Sequence, residues 1–429
     1  MTYYSLEHKA PEVSFREAAL RGIAPDRGLY FPKFIPRFPE KFWQSLFERD
    51  FSDVACELMS CYTEGSVPKD ILEGILEATL SFEFPLVWLN DHIAVLELFH
   101  GPTMAFKDVG AAFMAGCLGY FSEDSEVKTT VLVATSGDTG GAVARGFLGV
   151  PAVEVVILYP EGMVSDIQER QLTTLGENIR ALRVAGTFDD CQRMVKRAFL
   201  DPALKEKQNL TSANSINVAR WLPQMLYYIK GIQQLGPARE APVFSVPSGN
   251  FGNICAGMLA ARMGMPVRHF VAATNVNDTV PRYMTDKSYA PRPAVPTLSN
   301  AMDVADPSNF IRIRELFQDR FPALSSRLTA LSFDDTQTLQ TIKSLYESYR
   351  YVADPHGAIG YLGLKKYLES DAEAAGIFLE TAHPIKFREA VEDCLGISLQ
   401  VPDQIRGLLH REKKFTSIRT YEELRENLV

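Results

Sequence analysis

The sequence predicts an α/β protein with two open parallel-sheet layers facing each other across a cleft, preceded by a mostly helical wrapping segment. Three observations carry this. From Val95 onward, short and nearly all-apolar strands alternate with helical segments, the pattern of a parallel sheet covered on both faces. The alternation pauses at a linker-like stretch, residues 237–242 (Pro-Ala-Arg-Glu-Ala-Pro), and then resumes. In each half a strand runs straight into a glycine loop that opens a helix.

Taken in order, residues 1–90 read as helices and short loops. Apolar residues recur at helical spacing over 14–21 and again over 54–80, with a break near Pro68. Proline and glycine punctuate 22–39, as in a turn-rich segment that wraps a neighbour. Residues 129–135 form a continuous β-favouring run, followed by a glycine loop and a small-residue helix over 140–148. A second buried strand spans 153–160, with a polar helix after it through 175. A third strand spans 179–184 and a third helix 189–200. Beyond the linker, 243–246 leads into the second glycine loop, 254–263 is a helix, and 269–274 and 376–381 are strands. Residues 275–331, rich in proline and polar residues, fit this alternation least and are expected to be an insertion. The expected division is a wrapping segment at 1–90, a smaller α/β unit at 91–240 and a larger one at 241–429.

Composition narrows the function. A chain of 429 residues with 46% apolar and 23% charged residues is an ordinary globular protein of two or three domains. Its net charge of −9 argues against a nucleic-acid partner, yet leaves room for a small anion held by a few local cations. The first residues carry no apolar h-region, so no signal peptide is expected, and no apolar run is long enough to span a bilayer. Six scattered cysteines without C-x-x-C spacing suit reduced thiols in the cytoplasm and make a structural metal site improbable.

The chemistry-bearing residues fall in four places. Lys107, between Phe106 and Asp108, would be a solvated surface charge but for the small-residue helix (110–119) that it precedes. Shielded there, it would have a lowered pKa, as a Schiff-base lysine requires. The loop Ser136-Gly137-Asp138-Thr139-Gly140 offers amides and hydroxyls to a carboxylate; phosphate suits it nearly as well, and a plain turn is the third possibility. The loop Ser248-Gly249-Asn250-Phe251-Gly252-Asn253 presents amides at a helix start, with glycines that let backbone approach phosphate oxygens; it is equally well a tight turn that binds nothing. Ser215 and Arg220, at the start of another helical pattern, either converge on a second phosphate or act as an N-cap and a surface cation. Thr381 ends a strand, where its hydroxyl meets a ring nitrogen or simply caps. His356 has no obvious partner and is taken as structural, or at most as part of a cleft wall. A lysine with two anion-holding loops is the equipment of a pyridoxal phosphate enzyme.

These residues, in this order, resemble the pyridoxal phosphate enzymes of fold type II, the tryptophan-synthase-β type, and more narrowly the long-form threonine synthases. The likeness runs through residues 15–20 and 24–30, His100-Gly101-Pro102-Thr103 with Phe106-Lys107-Asp108, and residues 134–140, 214–217, 273–278 and 298–303. Two positions depart from it. Arg27 stands where a glycine is common, and Asp138 where many fold type II enzymes carry asparagine beside the cofactor's phenolic oxygen.

The resemblance implies a lyase acting on O-phospho-L-homoserine and water to give L-threonine and phosphate, as a monomer or homodimer. It implies Lys107 as the cofactor-bearing residue, with Phe106, Asp138, Gly249, Asn250, Phe251, Gly252, Asn253 and Thr381 around the cofactor. It also implies Thr103, Ser136, Thr139, Ser215, Asn217, Arg220 and Asn253 around the substrate, with Asp138 sharing a proton with the cofactor's phenol or imine. A phospho-lyase releasing 2-oxobutyrate would carry nearly the same motifs. A serine or threonine dehydratase would have no need of a second phosphate site. A nucleotide-binding module is disfavoured, because no G-x-G-x-x-G fingerprint with a following acidic residue is present.

Overall fold

The computed structural model of the protein describes residues 1–122, 128–371 and 374–428. Its larger sheet runs, in spatial order, Leu328–Ser332, His269–Thr274, Val243–Pro247, Gly376–Glu380, Ile93–Glu97 and Leu86–Trp88. Neighbours are parallel except the last pair, which is antiparallel. The smaller sheet runs Thr416–Ile418, Ile179–Val184, Val153–Pro160, Thr129–Ala134 and Asn209–Thr211, parallel throughout. Central strands such as Val243–Pro247 and Thr129–Ala134 are buried at every position, which is why their sequences show apolar runs and no alternation.

The N-terminal segment wraps this core with a three-stranded antiparallel sheet, in the order Val13–Ser14, Thr2–Ser5, Tyr30–Pro32. Helix Phe15–Arg21 follows, with Ser14 and Glu17 forming a reciprocal capping box. Helices Phe51–Thr63 and Lys69–Thr79 flank Pro68, where the sequence places the break. Arg27 adopts a left-handed φ of 71° in an exposed turn, the conformation glycine takes most easily.

Three assignments differ from the sequence reading. Strands Leu86–Trp88 and Ile93–Glu97 belong to the larger sheet, although they lie at the border of the expected smaller unit. Strand Thr416–Ile418 and helix Tyr421–Leu428 return to the smaller sheet from the far end of the chain. Both reflect long-range pairing, to which local periodicity is blind. Residues 275–331, expected to be an insertion, also extend the larger sheet: they hold helices Thr279–Asp286 and Phe310–Leu316, and run into edge strand Leu328–Ser332. That strand is half-buried, so it lacks the apolar run that marks the central ones.

Candidate active site

The two sheets point their strand ends at a cavity of about 570 Å³, the position open α/β sheets reserve for ligands. Into it reach Phe106, Lys107, Ser136, Asp138, Thr139, Ser215, Arg220, Gly249, Asn250, Phe251, Gly252, Asn253 and Thr381. Thirteen of the residues singled out in the sequence therefore meet in one place.

Lys107 opens helix Lys107–Ser122, with its Nζ 5.6 Å from the centroid of the Phe106 ring. Burial in the cleft lowers its pKa to about 8; Lys386 and Arg220 push the same way, and Asp138 opposes them. Among the described residues no carboxylate lies within salt-bridge distance of its amine. The preceding turn is held to the larger sheet: Phe106 donates to the Thr381 carbonyl at 3.0 Å and His383 to the Met104 carbonyl at 3.1 Å. Met104 takes a left-handed φ of 56°, a strained conformation for a side-chain-bearing residue that these tethers fix.

In the second glycine loop, Phe251 caps helix Gly252–Met263 from a left-handed φ of 59°. A Cβ added to Gly249 would meet the Ala301 carbonyl oxygen at 2.8 Å, so segment 300–302 closes one side of the cradle. Asn253 accepts from the Tyr228 hydroxyl at 2.6 Å through Oδ1, leaving its buried Nδ2 without a partner. The first glycine loop is organised from within: the Thr135 hydroxyl accepts from the Gly137 and Gly140 amides at 2.9 and 2.8 Å. The amides of Asp138 and Thr139, at the start of helix Asp138–Gly146, are left without intrahelical acceptors.

Arg220 is buried, donates through Nη1 to the Ala213 carbonyl at 2.7 Å, and leaves Nε unpaired. Burial lowers its pKa to about 10, with Asp108 opposing at longer range. A buried guanidinium with spare donors and no carboxylate bound to it among the described residues suits an anion. Gly110 makes its placement possible, because a Cβ there would meet the Arg220 carbonyl oxygen at 2.5 Å. Orphaned donors at Asn253 and Arg220, a cradle a Cβ would fill at Gly249 and a desolvated lysine together fit the expected cofactor and a second anion.

Two expected site residues do not reach the cavity. The Thr103 hydroxyl and amide are both bound to Asp108, and its carbonyl accepts from Gln171 and Lys386, so it holds the Lys107 turn in shape. Asn217 is a buried N-cap: it accepts from the Ala219 amide at 2.9 Å and donates to the Ala19 carbonyl at 2.9 Å, tying the wrapping segment to the core. Asp138 lines the cavity, and its carboxylate is engaged by the protein's own donors. Burial would raise its carboxyl, yet Lys386 at 2.6 Å, Lys107 and the Gln168 amide hold it well below the usual carboxylate range. His356 has a partner after all: Asp354 at 2.6 Å on Nδ1, while Nε2 accepts from the Ala301 amide at 3.3 Å, bracing the cavity wall. Sequence reasoning missed Thr135, Gln168, Lys386 and Arg312. The last is fully buried and donates to the Tyr30, Ser215 and Ile216 carbonyls behind the Ser215 turn.

Comparison with known proteins agrees with this geometry. Residues 85–378 match the family described as "Pyridoxal-phosphate dependent enzyme", residues 2–80 "Threonine synthase N terminus" and residues 357–429 "Threonine synthase, C-terminal". The threonine synthase of Escherichia coli (strain K12) is 44% identical over 94% of this chain and 94% of its own. The crystal structure of Escherichia coli threonine synthase superposes with a TM-score of 0.94 and 42% identity, covering 100% of this chain and 99% of that one. The structure of pyridoxal-phosphate-bound threonine synthase from Brucella melitensis gives 0.92 and 35%, covering 100% and 98%.

Proposed function

Because the chain belongs to the pyridoxal-phosphate dependent enzymes, in their threonine synthase branch, we propose the following division of labour in its cleft. The activity is that of a threonine synthase: a lyase reaction turning O-phospho-L-homoserine and water into L-threonine and phosphate. Pyridoxal phosphate, when bound, supplies the electron sink for carbanion chemistry next to the amino group.

Lys107 would hold the cofactor and move protons at the substrate's Cα and Cβ. A pKa of about 8 leaves part of its population neutral near physiological pH, which both tasks require. Gly249, Asn250 and Gly252 cradle the cofactor phosphate at the start of helix Gly252–Met263, with Phe251 and Phe106 walling the site. The Thr381 hydroxyl, at the cavity wall, would meet the cofactor's ring nitrogen, and as a neutral partner would not favour its protonation. Ser136, Thr139 and the free Asp138 and Thr139 amides at the start of helix Asp138–Gly146 hold the substrate carboxylate. Arg220, Ser215 and the spare Asn253 amide hold the leaving phosphate, whose growing charge strengthens each contact as the bond breaks.

The observation that carries this reading is Arg220, a buried cation with an unpaired Nε, placed in the same cavity as Lys107. A dehydratase would have no second phosphate for it. Six free cysteines and a net charge of −9 support a cytoplasmic enzyme without a nucleic-acid partner. Among the described residues no helix is long and apolar enough to cross a membrane. The test is to incubate the full chain and cofactor with O-phospho-L-homoserine and quantify threonine, 2-oxobutyrate and phosphate together. Phosphate matched by threonine is the expected result; phosphate matched mainly by 2-oxobutyrate would make it a phospho-lyase.

A further inference from the structure

Lys386 sits on the short turn Pro384–Phe387 after the Gly376–Glu380 strand, with 0% of its side chain exposed. An ammonium buried so completely is tolerated only where charge and hydrogen bonds compensate for lost water. Here they come from the first glycine loop and from the turn that precedes Lys107. Its Nζ lies 2.6 Å from Oδ1 of Asp138 and donates to the Thr103 carbonyl at 2.9 Å. Gln168 donates to the same Asp138 oxygen at 3.0 Å, and Gln171 to the same Thr103 carbonyl at 3.1 Å. The Asp138 carboxylate is thereby engaged by two donors on one oxygen, while Lys107 lines the same cavity with no carboxylate in salt-bridge range among the described residues.

We propose that Lys386 is a positioning residue for Lys107: by engaging Asp138 it withholds that carboxylate from the cleft amine, which stays unpaired and able to shed its proton. The argument rests on the assignment of Lys107 as the cofactor-bearing lysine. Three charged groups act on Lys107 from the elements packed around it: Asp138 from the glycine-loop helix, Lys386 from its turn and Arg220 from helix Val218–Trp221. Removing Lys386 deletes a repelling cation and frees an attracting anion, so both changes raise the proton affinity of Lys107. Only a partner of Asp138 has this double action.

The test is competitive trace acetylation with acetic anhydride across a pH series, on the full-length chain freed of cofactor, with the Lys107 peptide quantified by mass spectrometry. In Lys386→Met the Lys107 midpoint should rise by about one pH unit or more, the usual effect of an uncovered opposite charge. Lys386→Arg should restore it, and the double variant Lys386→Met/Asp138→Asn should sit at or below the wild-type value. An unchanged midpoint in Lys386→Met, whatever its melting temperature, would reduce Lys386 to a structural role and overturn the proposal. A raised midpoint in the double variant would overturn it too, and covers the case in which the single variant does not fold. Borohydride mapping of the holoenzyme runs alongside: cofactor found on another lysine would sink the functional assignment without altering the acetylation midpoints.

Discussion

The Phe106 amide donates to the Thr381 carbonyl across 3.0 Å, so the turn that presents Lys107 and the strand end that carries Thr381 move as one body. The isolated bridge between Ala105 and Ala382 extends the same contact. Lysine and hydroxyl, far apart in sequence, thus share a single rigid frame on the larger sheet, while Ser136 and Thr139 belong to the glycine loop of the smaller one.

Lys107 should carry the cofactor. Borohydride treatment of the holoenzyme followed by peptide mapping should place the reduced cofactor there, and Lys107→Ala should bind it without a covalent link. A label on any other lysine would exclude this role.

Arg220→Ala should lower kcat/KM by roughly a hundredfold, about 3 kcal/mol, because a phosphate buried without its guanidinium keeps its full desolvation cost. Cofactor affinity should hardly change, since the cofactor phosphate is assigned to the other loop. Loss of cofactor with normal substrate kinetics would mean the two phosphate places are exchanged.

Gly249→Ala should weaken the cofactor cradle. The new Cβ would stand 2.8 Å from the Ala301 oxygen and 3.0 Å from the Met302 Cα, both backbone atoms that yield only if segment 300–302 shifts. Equilibrium dialysis should show cofactor affinity at least about tenfold weaker, near 1.4 kcal/mol. Wild-type affinity in this variant would remove the loop from the cofactor's binding site.

Acid should loosen the Lys107 turn. Burial, with His100 adding to it, lowers the His383 pKa to about 4 from an ordinary 6.5, and its Nδ1 accepts from the Ile385 amide at 3.0 Å. As pH falls through this window the unfolded chain takes up a proton that the folded one refuses, so stability declines from about pH 6.5 to about 4. His383→Asn keeps an acceptor for that amide but has nothing to titrate. Its melting temperature should fall less steeply over the same range, and an identical slope would show that His383 is not responsible. His269, lowered to about 4 mainly by burial, supplies part of the remaining slope.

What could be read from the sequence was whatever is local. Residues 153–160 and 243–246 announce themselves as strands because both faces are covered, and Gly249 and Gly252 because backbone must come close to a ligand or a neighbouring segment. Thr103 and Asn217 were misread because they lie within motifs whose neighbours do reach the cleft; a motif fixes a turn without saying which of its side chains face inward. Lys386 and Arg312 gave no signal at all. Each matters through a partner hundreds of positions away or on another element, Asp138 in one case and the Tyr30 carbonyl in the other. Pairing of that kind leaves no periodic trace.

The strand order has a consequence for how the molecule is made. Ile93–Glu97 leaves the ribosome early, but its neighbour Gly376–Glu380 is synthesised only after most of the chain, and Leu182 waits still longer for Thr416. Neither sheet is complete until translation is nearly over, so native contacts are dominated by distant pairs and assembly is intrinsically slow. Until then the rims of the unfinished sheets must be shielded from other chains. A truncation that removes only the last few dozen residues would take an edge strand and a covering helix from the smaller sheet, leaving a nascent protein with its first half fully synthesised and still unable to close.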